Sequence, residues 1–210
     1  TKYLIKHIKN IDILNFKYCE SLDGLFQGFS AVESIEGLEN IDTSNVVSMK
    51  NTFRDCENLF KLDLSKWDTH NVKDMSGMFA NCGCRMINTN NWDVSNVENM
   101  TELFADCNKL KRLNLTNWNT QNVNSMLRMF YGCIYLENLN LTNWNVSNVN
   151  NFSHMFNNCK CLDMLDLTNW DTQNAINMKG MFYNCEYLKS IDISKWNTEK
   201  VKDINMIFDY

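Results

Sequence analysis

The chain has 210 residues, of which 44% are hydrophobic and 21% are charged, so it is long and apolar enough to form one well-packed domain. It contains no proline, and its net charge is −5. This composition excludes a proline-rich linker and argues against disorder. It also argues against nucleic acid as a partner, because phosphate binding needs clustered lysine and arginine.

The N-terminal region carries only a blurred version of the pattern that follows it. We predict that residues 1–37 form an N-terminal cap with a degenerate first repeat, and that residues 38–210 form one continuous repeat domain whose last repeat is truncated. No segment approaches the roughly 20 consecutive apolar residues of a membrane span, so we expect no direct membrane insertion. A signal or anchor would then lie outside this chain.

Two columns of residues repeat with a period of 25 or 26. The tryptophans of this pattern are Trp67, Trp92, Trp118, Trp144, Trp170 and Trp196, and the cysteines are Cys56, Cys82, Cys107, Cys133, Cys159 and Cys185. Both columns share the same single shortening, which falls around Gly83. Because two independent columns keep one period, the repeat is real.

Each unit combines two kinds of hydrophobic spacing. The segment from Leu110 to Trp118 follows the pattern L-x-x-L-x-L-x-x-W, which is typical of a short leucine-rich-repeat strand. An apolar stripe then runs from Val123 through Met126 and Phe130 to Cys133, which predicts a short helix behind an Asn or Thr cap. The predicted fold is therefore α/β, a leucine-rich-repeat-like right-handed solenoid of strand–turn–short helix units.

The repeat closely resembles that of the BspA-like leucine-rich-repeat family, the 26-residue repeats of mycoplasma-type surface lipoproteins. The elements that carry the resemblance are D-T-S-N-V at residues 42–46 and M-F-x-x-C at residues 78–82. The resemblance implies a solenoid that is exposed on a cell surface or secreted. Members of this family are often linked to adhesion or host-protein binding, so the resemblance implies such a role here. It implies no catalytic residue.

The repeated columns have a structural explanation before a chemical one. We expect the Trp, Met, Phe and Cys columns to form the core, and the Asn column to satisfy backbone groups of the turns. The pairs Cys82/Cys84 and Cys159/Cys161 lie three coils apart, so they cannot build one four-ligand metal site. Neither a glycine-rich phosphate loop nor a catalytic histidine arrangement is present, so the sequence predicts no enzyme, no cofactor and no metal.

The outward strand positions are the candidate site, because solenoids use a concave strand face to bind extended ligands. The predicted ligand-binding residues are Lys61, Asp63, Arg85, Asn88, Lys111, Arg112, Asn114, Glu137, Asn140, Met164, Asp166, Lys189 and Asp192. The expected partner is a protein or a glycan on a host surface. The alternatives are a structural spacer and an intracellular protein-interaction scaffold.

The C-terminal end is a second expected contact surface. Val201, Ile204, Ile207 and Phe208 repeat the apolar stripe, and no strand follows to cover them. We therefore expect this end to continue in a longer protein or to self-associate. A cytoplasmic location remains the alternative to the cell surface, because an odd number of cysteines, nine, rules out complete disulfide pairing.

Overall fold

A computed structural model describes residues 4–209, so residues 1–3 and Tyr210, the outer ends of the two predicted domains, lie outside the described part. Its regular elements are short: strands β1 (His7–Ile8), β2 (Ser34–Ile35), β3 (Lys61–Asp63) and β4 (Met86–Asn88), and 3-10 helices at Ile11–Ile13 and Leu38–Asn40. Strand β1 pairs with β2 and β3 pairs with β4, both in parallel. No helix within residues 4–209 is long and apolar enough to cross a membrane.

The turn side of the repeats forms a continuous parallel ladder, which we call the turn ladder. Its rungs are Ser21, Ser48, Asp74, Asn99, Ser125, Asn151, Asn177 and Asp203. Each coil therefore pairs with the same slot of the next coil, which confirms the predicted repeat stack of the leucine-rich kind. The ladder begins at Ser21, inside the region predicted as a cap. The domain boundary at residue 37 stays a prediction, as does the handedness of the coil.

The predicted short helices are wrong, because the described residues contain no α-helix. In the segment 126–132, alternate amides bond across coils instead. The N–H groups of Met126, Arg128 and Phe130 donate to carbonyls of the next coil at 2.9–3.0 Å, whereas Met129 donates to the carbonyl three residues back at 3.1 Å. In an α-helix, all of these amides would donate to carbonyls four residues back in the same coil. Three of them donate to the neighbouring coil instead, so no helix forms.

Two columns of left-handed residues explain why the helix does not form. One column contains Gly28, Asp55, Asn81, Asp106, Gly132, Asn158 and Asn184, all with positive φ. The other runs four residues earlier and contains Gly24, Asn51, Gly77, Glu102, Arg128, His154 and Gly180. A right-handed helix cannot pass through such residues, so every coil turns twice at these positions.

The core lies between the turn ladder and the strands, and its centre is a stack of phenylalanines. Phe26, Phe53, Phe79, Phe104, Phe130, Phe156, Phe182 and Phe208 follow one another with ring centroids 5.3–5.8 Å apart. The Met and Cys columns pack beside them and are buried. The predicted inward positions are thus confirmed although the predicted helix is not.

Polar ladders satisfy backbone groups at the coil surface, as predicted for the Asn column. The side-chain amides of Asn45, Asn71, Asn96, Asn122, Asn148 and Asn174 each donate to a carbonyl of the preceding coil. Buried threonines add a second set, in which Thr69 Oγ1 donates to the Asp93 carbonyl at 2.8 Å and Thr120 Oγ1 to the Asn145 carbonyl at 2.8 Å. These bonds tie each turn to its neighbours.

Gly83 lies where the repeat is one residue shorter. Among the glycines, it approaches the backbone of a neighbouring coil most closely. A Cβ added there would collide with the carbonyl oxygen of Glu57. Its backbone is not left-handed, unlike that of Gly28, where an added Cβ meets nothing within 4 Å. Substitution of Gly83 therefore tests a steric clash alone, and substitution of Gly28 tests left-handed backbone strain alone.

We expect Gly83→Ala to lower the free energy of unfolding by about 3 kcal/mol, because a backbone carbonyl cannot move aside as a side chain can. The matched control Gly28→Ala should cost only about 1 kcal/mol, the cost of a left-handed alanine. Denaturant unfolding of both variants measures the difference. An equal loss in the two variants would contradict the close approach at Gly83.

Candidate functional site

The strand face is built on a column of polar turns. In each coil an Asp or Asn follows the inward strand residue and its side-chain oxygen accepts the amide two residues on. Asp63 Oδ1 accepts from the Ser65 hydroxyl at 2.7 Å and from the Ser65 amide at 3.2 Å. These bonds from Ser65 lower the pKa of the Asp63 carboxyl. The regular column of the predicted site therefore also stabilises the turns.

A groove with a volume of about 920 Å³ opens on this face. Nine of the predicted binding residues line it: Lys61, Asp63, Arg85, Asn88, Lys111, Arg112, Asn114, Glu137 and Asn140. The side chains of Leu62, Ile87, Leu113 and Leu139 form its apolar floor. Alternation along each strand places these four side chains inward and Lys61, Asp63 and Arg112 outward at the rim, whereas Arg85, Lys111 and Glu137 lie just before the alternating residues. We call this feature the strand groove.

The other four predicted residues do not line the strand groove. Met164, Asp166 and Asp192 are exposed further along the stack. Lys189 lines a smaller pocket and donates to Asp163 Oδ2 at 3.0 Å. The structure thus gathers one part of the predicted site and separates the rest.

The strand groove is rich in cations although the chain is acidic. Its lining contains four cationic side chains and two carboxylates, whereas the whole chain carries a net charge of −5. Lys111 lies 3.9 Å from Glu137. Within residues 4–209, Lys61, Arg85 and Arg112 have no carboxylate within 4.0 Å.

The groove coincides with an interruption of strand pairing. Strands β3 and β4 form a three-residue parallel ladder, and Arg112 bridges to Asn138 and Asn138 to Met164. Among the described residues, no bridge and no backbone hydrogen bond joins Met86–Asn88 to the segment 112–114. The turn ladder continues through the same two coils, Trp92 stacks on Trp118 and the Asn114 amide donates to Asn90, so only the strand backbones are unpaired here.

Two buried polar atoms mark the same interruption. Five tryptophans donate their indole N–H to a carbonyl of an earlier coil, as Trp92 does to Leu64 at 2.9 Å. By this register, the acceptor for Trp118 would be the Thr89 carbonyl. Instead Trp118 Nε1 and Thr89 Oγ1 are buried without a hydrogen-bond partner in the described chain. Thr89 occupies a slot that holds Leu64 and Leu115 in neighbouring coils.

Sequence reasoning missed the most exposed apolar residue of the groove. Met86 is 59% exposed and pairs in register with Lys61. Phe60, which precedes Lys61 and does not line the groove, is 57% exposed, and the Arg85 guanidinium lies 5.4 Å from its ring centroid. The available signal was a methionine in a strand slot that is cationic in the adjacent coils at Lys61 and Arg112.

The cysteine column is buried and its thiols act as weak donors. Cys56, Cys107, Cys133, Cys159 and Cys185 each donate to a phenylalanine carbonyl of the preceding coil at 3.0–3.1 Å. Burial raises the pKa of Cys56 and of Cys185 to about 12, and that of the three between them well above the ordinary value. Such thiols are inert. Within the described residues, no group of three metal-ligating side chains lies close enough to hold an ion.

Comparison with known protein families identifies the family to which this chain belongs. A family model matches residues 3–113 and again residues 102–210, and its description is "Mycoplasma protein of unknown function, DUF285". The two matches cover nearly the whole chain, so the chain belongs to this family. The resemblance to mycoplasma-type 26-residue repeats is thereby confirmed. A search of curated proteins finds no match to the chain.

Among solved structures, the chain is similar to a leucine-rich repeat protein from Bacteroides ovatus ATCC 8483. The two share 13% sequence identity with a TM-score of 0.42, and the alignment covers 96% of this chain and 60% of that chain. The chain therefore spans about three fifths of the length of that protein.

The unpaired hydroxyl at the interruption leads to a stability prediction. We expect Thr89→Val to raise the free energy of unfolding by about 1 kcal/mol, because it replaces an unsatisfied buried hydroxyl by a methyl of the same shape. The matched control Thr120→Val removes a hydroxyl that is bonded to Asn145, and it should lower stability by a similar amount. Thermal unfolding of both variants gives the signs. A loss of stability in both would contradict the unpaired state of Thr89.

Thiol labelling tests the burial of the cysteine column. Of the nine cysteines, only Cys19 and Cys161 are partly exposed. We expect iodoacetamide at mildly alkaline pH to label these two in the native chain, and all nine after denaturation, as counted by mass spectrometry. Rapid native labelling of Cys107 or Cys133 would be inconsistent with an inert buried column.

Proposed function

We propose that this chain is a non-enzymatic binding module, a right-handed solenoid that presents the strand groove to a protein or glycan ligand at a cell surface. The observation that carries the proposal is the convergence of nine predicted residues on one groove of about 920 Å³. A large apolar pocket with a few convergent polar groups is the usual form of a binding site. The family resemblance to surface lipoproteins supports an adhesin-like role and a surface or secreted location.

The location of the variable residues supports binding over a purely structural role. Positions that recur in every coil, such as Asp63 and Asn114, are engaged in their own turns. Positions that vary between coils, such as Lys61, Met86 and Arg112, face the groove without an ionic partner in the described chain. Ligand specificity in repeat proteins resides in such variable surface positions.

A structural spacer is the second candidate, and exposed apolar side chains in the coil that contains Phe208 favour it. Phe208 stacks on Phe182 with centroids 5.5 Å apart but is 44% exposed, and Ile204 is 57% exposed. These residues offer an apolar surface for self-association. The buried reduced thiols are compatible with a third role, that of an intracellular protein-interaction scaffold.

Charge reversal on the two faces tests the proposal. Lys111 and Lys73 are matched, since each is exposed and lies 3.9 Å from a glutamate of the next coil, Glu137 and Glu98 respectively. We expect reversal of Lys111 together with Arg112 (K111E/R112E) to weaken a ligand at least tenfold, and K73E to leave it unchanged.

The measurement uses the intact immobilised chain against purified extracellular-matrix proteins and a glycan array. A ligand that is lost in the groove variant and retained in K73E supports the proposed site. Equal losses in the two variants would place binding elsewhere. Absence of any ligand would leave the spacer as the better account.

A further inference from the structure

The cations of the strand groove are arranged across three neighbouring coils rather than at one point. Lys61 lies on the first coil, Arg85 and Met86 on the second, and Arg112 on the third. Lys61 and Met86 are register partners in paired strands, and Arg112 occupies the same slot in the next coil, across the interruption. An exposed methionine therefore lies between two cations along the direction of the stack.

The two carboxylates in the groove offset only part of the positive charge of its four cations. Asp63 already accepts from Ser65, and its Oδ1 also accepts from the Asn88 amide at 3.0 Å. Glu137 lies 3.9 Å from Lys111. The chain thus holds an unbalanced positive charge over an apolar floor, although its overall charge is negative. Such a surface attracts anionic ligands and repels cationic ones.

We propose that the strand groove binds an acidic peptide segment, in which carboxylates flank an apolar side chain. This inference rests on the proposed binding function and names its ligand class. The carboxylates pair with Lys61 and with the guanidinium groups of Arg85 and Arg112, which suit bidentate contact. The apolar side chain covers Met86.

The apolar floor favours a peptide over a sulfated glycan. Ile87, Leu113 and Leu139 are 5–8% exposed at the base of the groove, and Met86, which also lines it, is 59% exposed. A sulfated sugar chain brings anions but no large apolar group to cover these side chains. A peptide brings both, and an extended peptide repeats its side chains on one face about every 6–10 Å.

The probe is a fluorescein-labelled synthetic peptide in which pairs of glutamate flank a central leucine. With the whole chain, we expect saturable binding in about the micromolar range that weakens as salt is raised. The same peptide with glutamine in place of glutamate should not bind. With alanine in place of leucine it should bind several-fold more weakly.

Variants of exposed residues separate the two contributions. R85Q/R112Q should weaken the leucine peptide at least tenfold, whereas the control K73Q should bind it as the unchanged chain does. M86S should weaken the leucine peptide but make no further difference to the alanine peptide, because the lost contact is the one that leucine makes. Circular dichroism and the thermal midpoint of each variant establish that it is folded.

The outcomes distinguish this inference from the proposed function. If heparin binds more tightly than the peptide, and M86S has no effect on it, the ligand is a polyanionic glycan and the peptide proposal is overturned. If neither anion binds but the panel of matrix proteins and glycans gives a ligand that needs Lys111 and Arg112, the acidic-peptide inference fails and the binding function stands. If none of these probes binds, both fail.

Discussion

The structure depends on backbone hydrogen bonds that run from coil to coil along the turn ladder. In the segment 100–106, the amides of Met100, Glu102 and Phe104 donate to the next coil at 2.8–3.1 Å. These bonds fix the spacing at which the phenylalanines stack and the cysteines meet carbonyls. Because each coil takes its partners from its neighbours, no single unit can bury its core alone.

The inward columns and the period could be predicted from the sequence, because apolar spacing reports burial directly. The same spacing misled about the helix, since residues three and four apart can share a face in a stacked turn as well as in a helix. A signal was present: from Gly28 to Asn184, the slot that holds Asn81, Asp106 and Gly132 contains only Gly, Asn and Asp. That composition is typical of left-handed backbone, which ends a helix.

The candidate site could be predicted as a face but not as a groove. Alternation in the strands identified outward residues such as Lys61 and Arg112, and the structure gathers them. The interruption depends on which strand backbones pair between coils, and the spacing of apolar residues in the sequence does not predict that pairing. Its sequence mark is subtle, a single Thr89 in a leucine slot next to the shortened repeat at Gly83. The turn ladder holds these coils while their strand backbones are unpaired, and this combination creates the strand groove.

Amide hydrogen exchange tests this account most directly, with the intact chain alone and with the acidic peptide. The account predicts slow exchange for Met100, Glu102 and Phe104 in both states. It predicts fast exchange for the amides of residues 112–115 in the unliganded chain, whose N–H groups have no backbone partner within residues 4–209, and slowing of this segment when the peptide is added. Equally slow exchange of the strand and turn segments without peptide, or protection confined to other coils with it, would contradict the central claim.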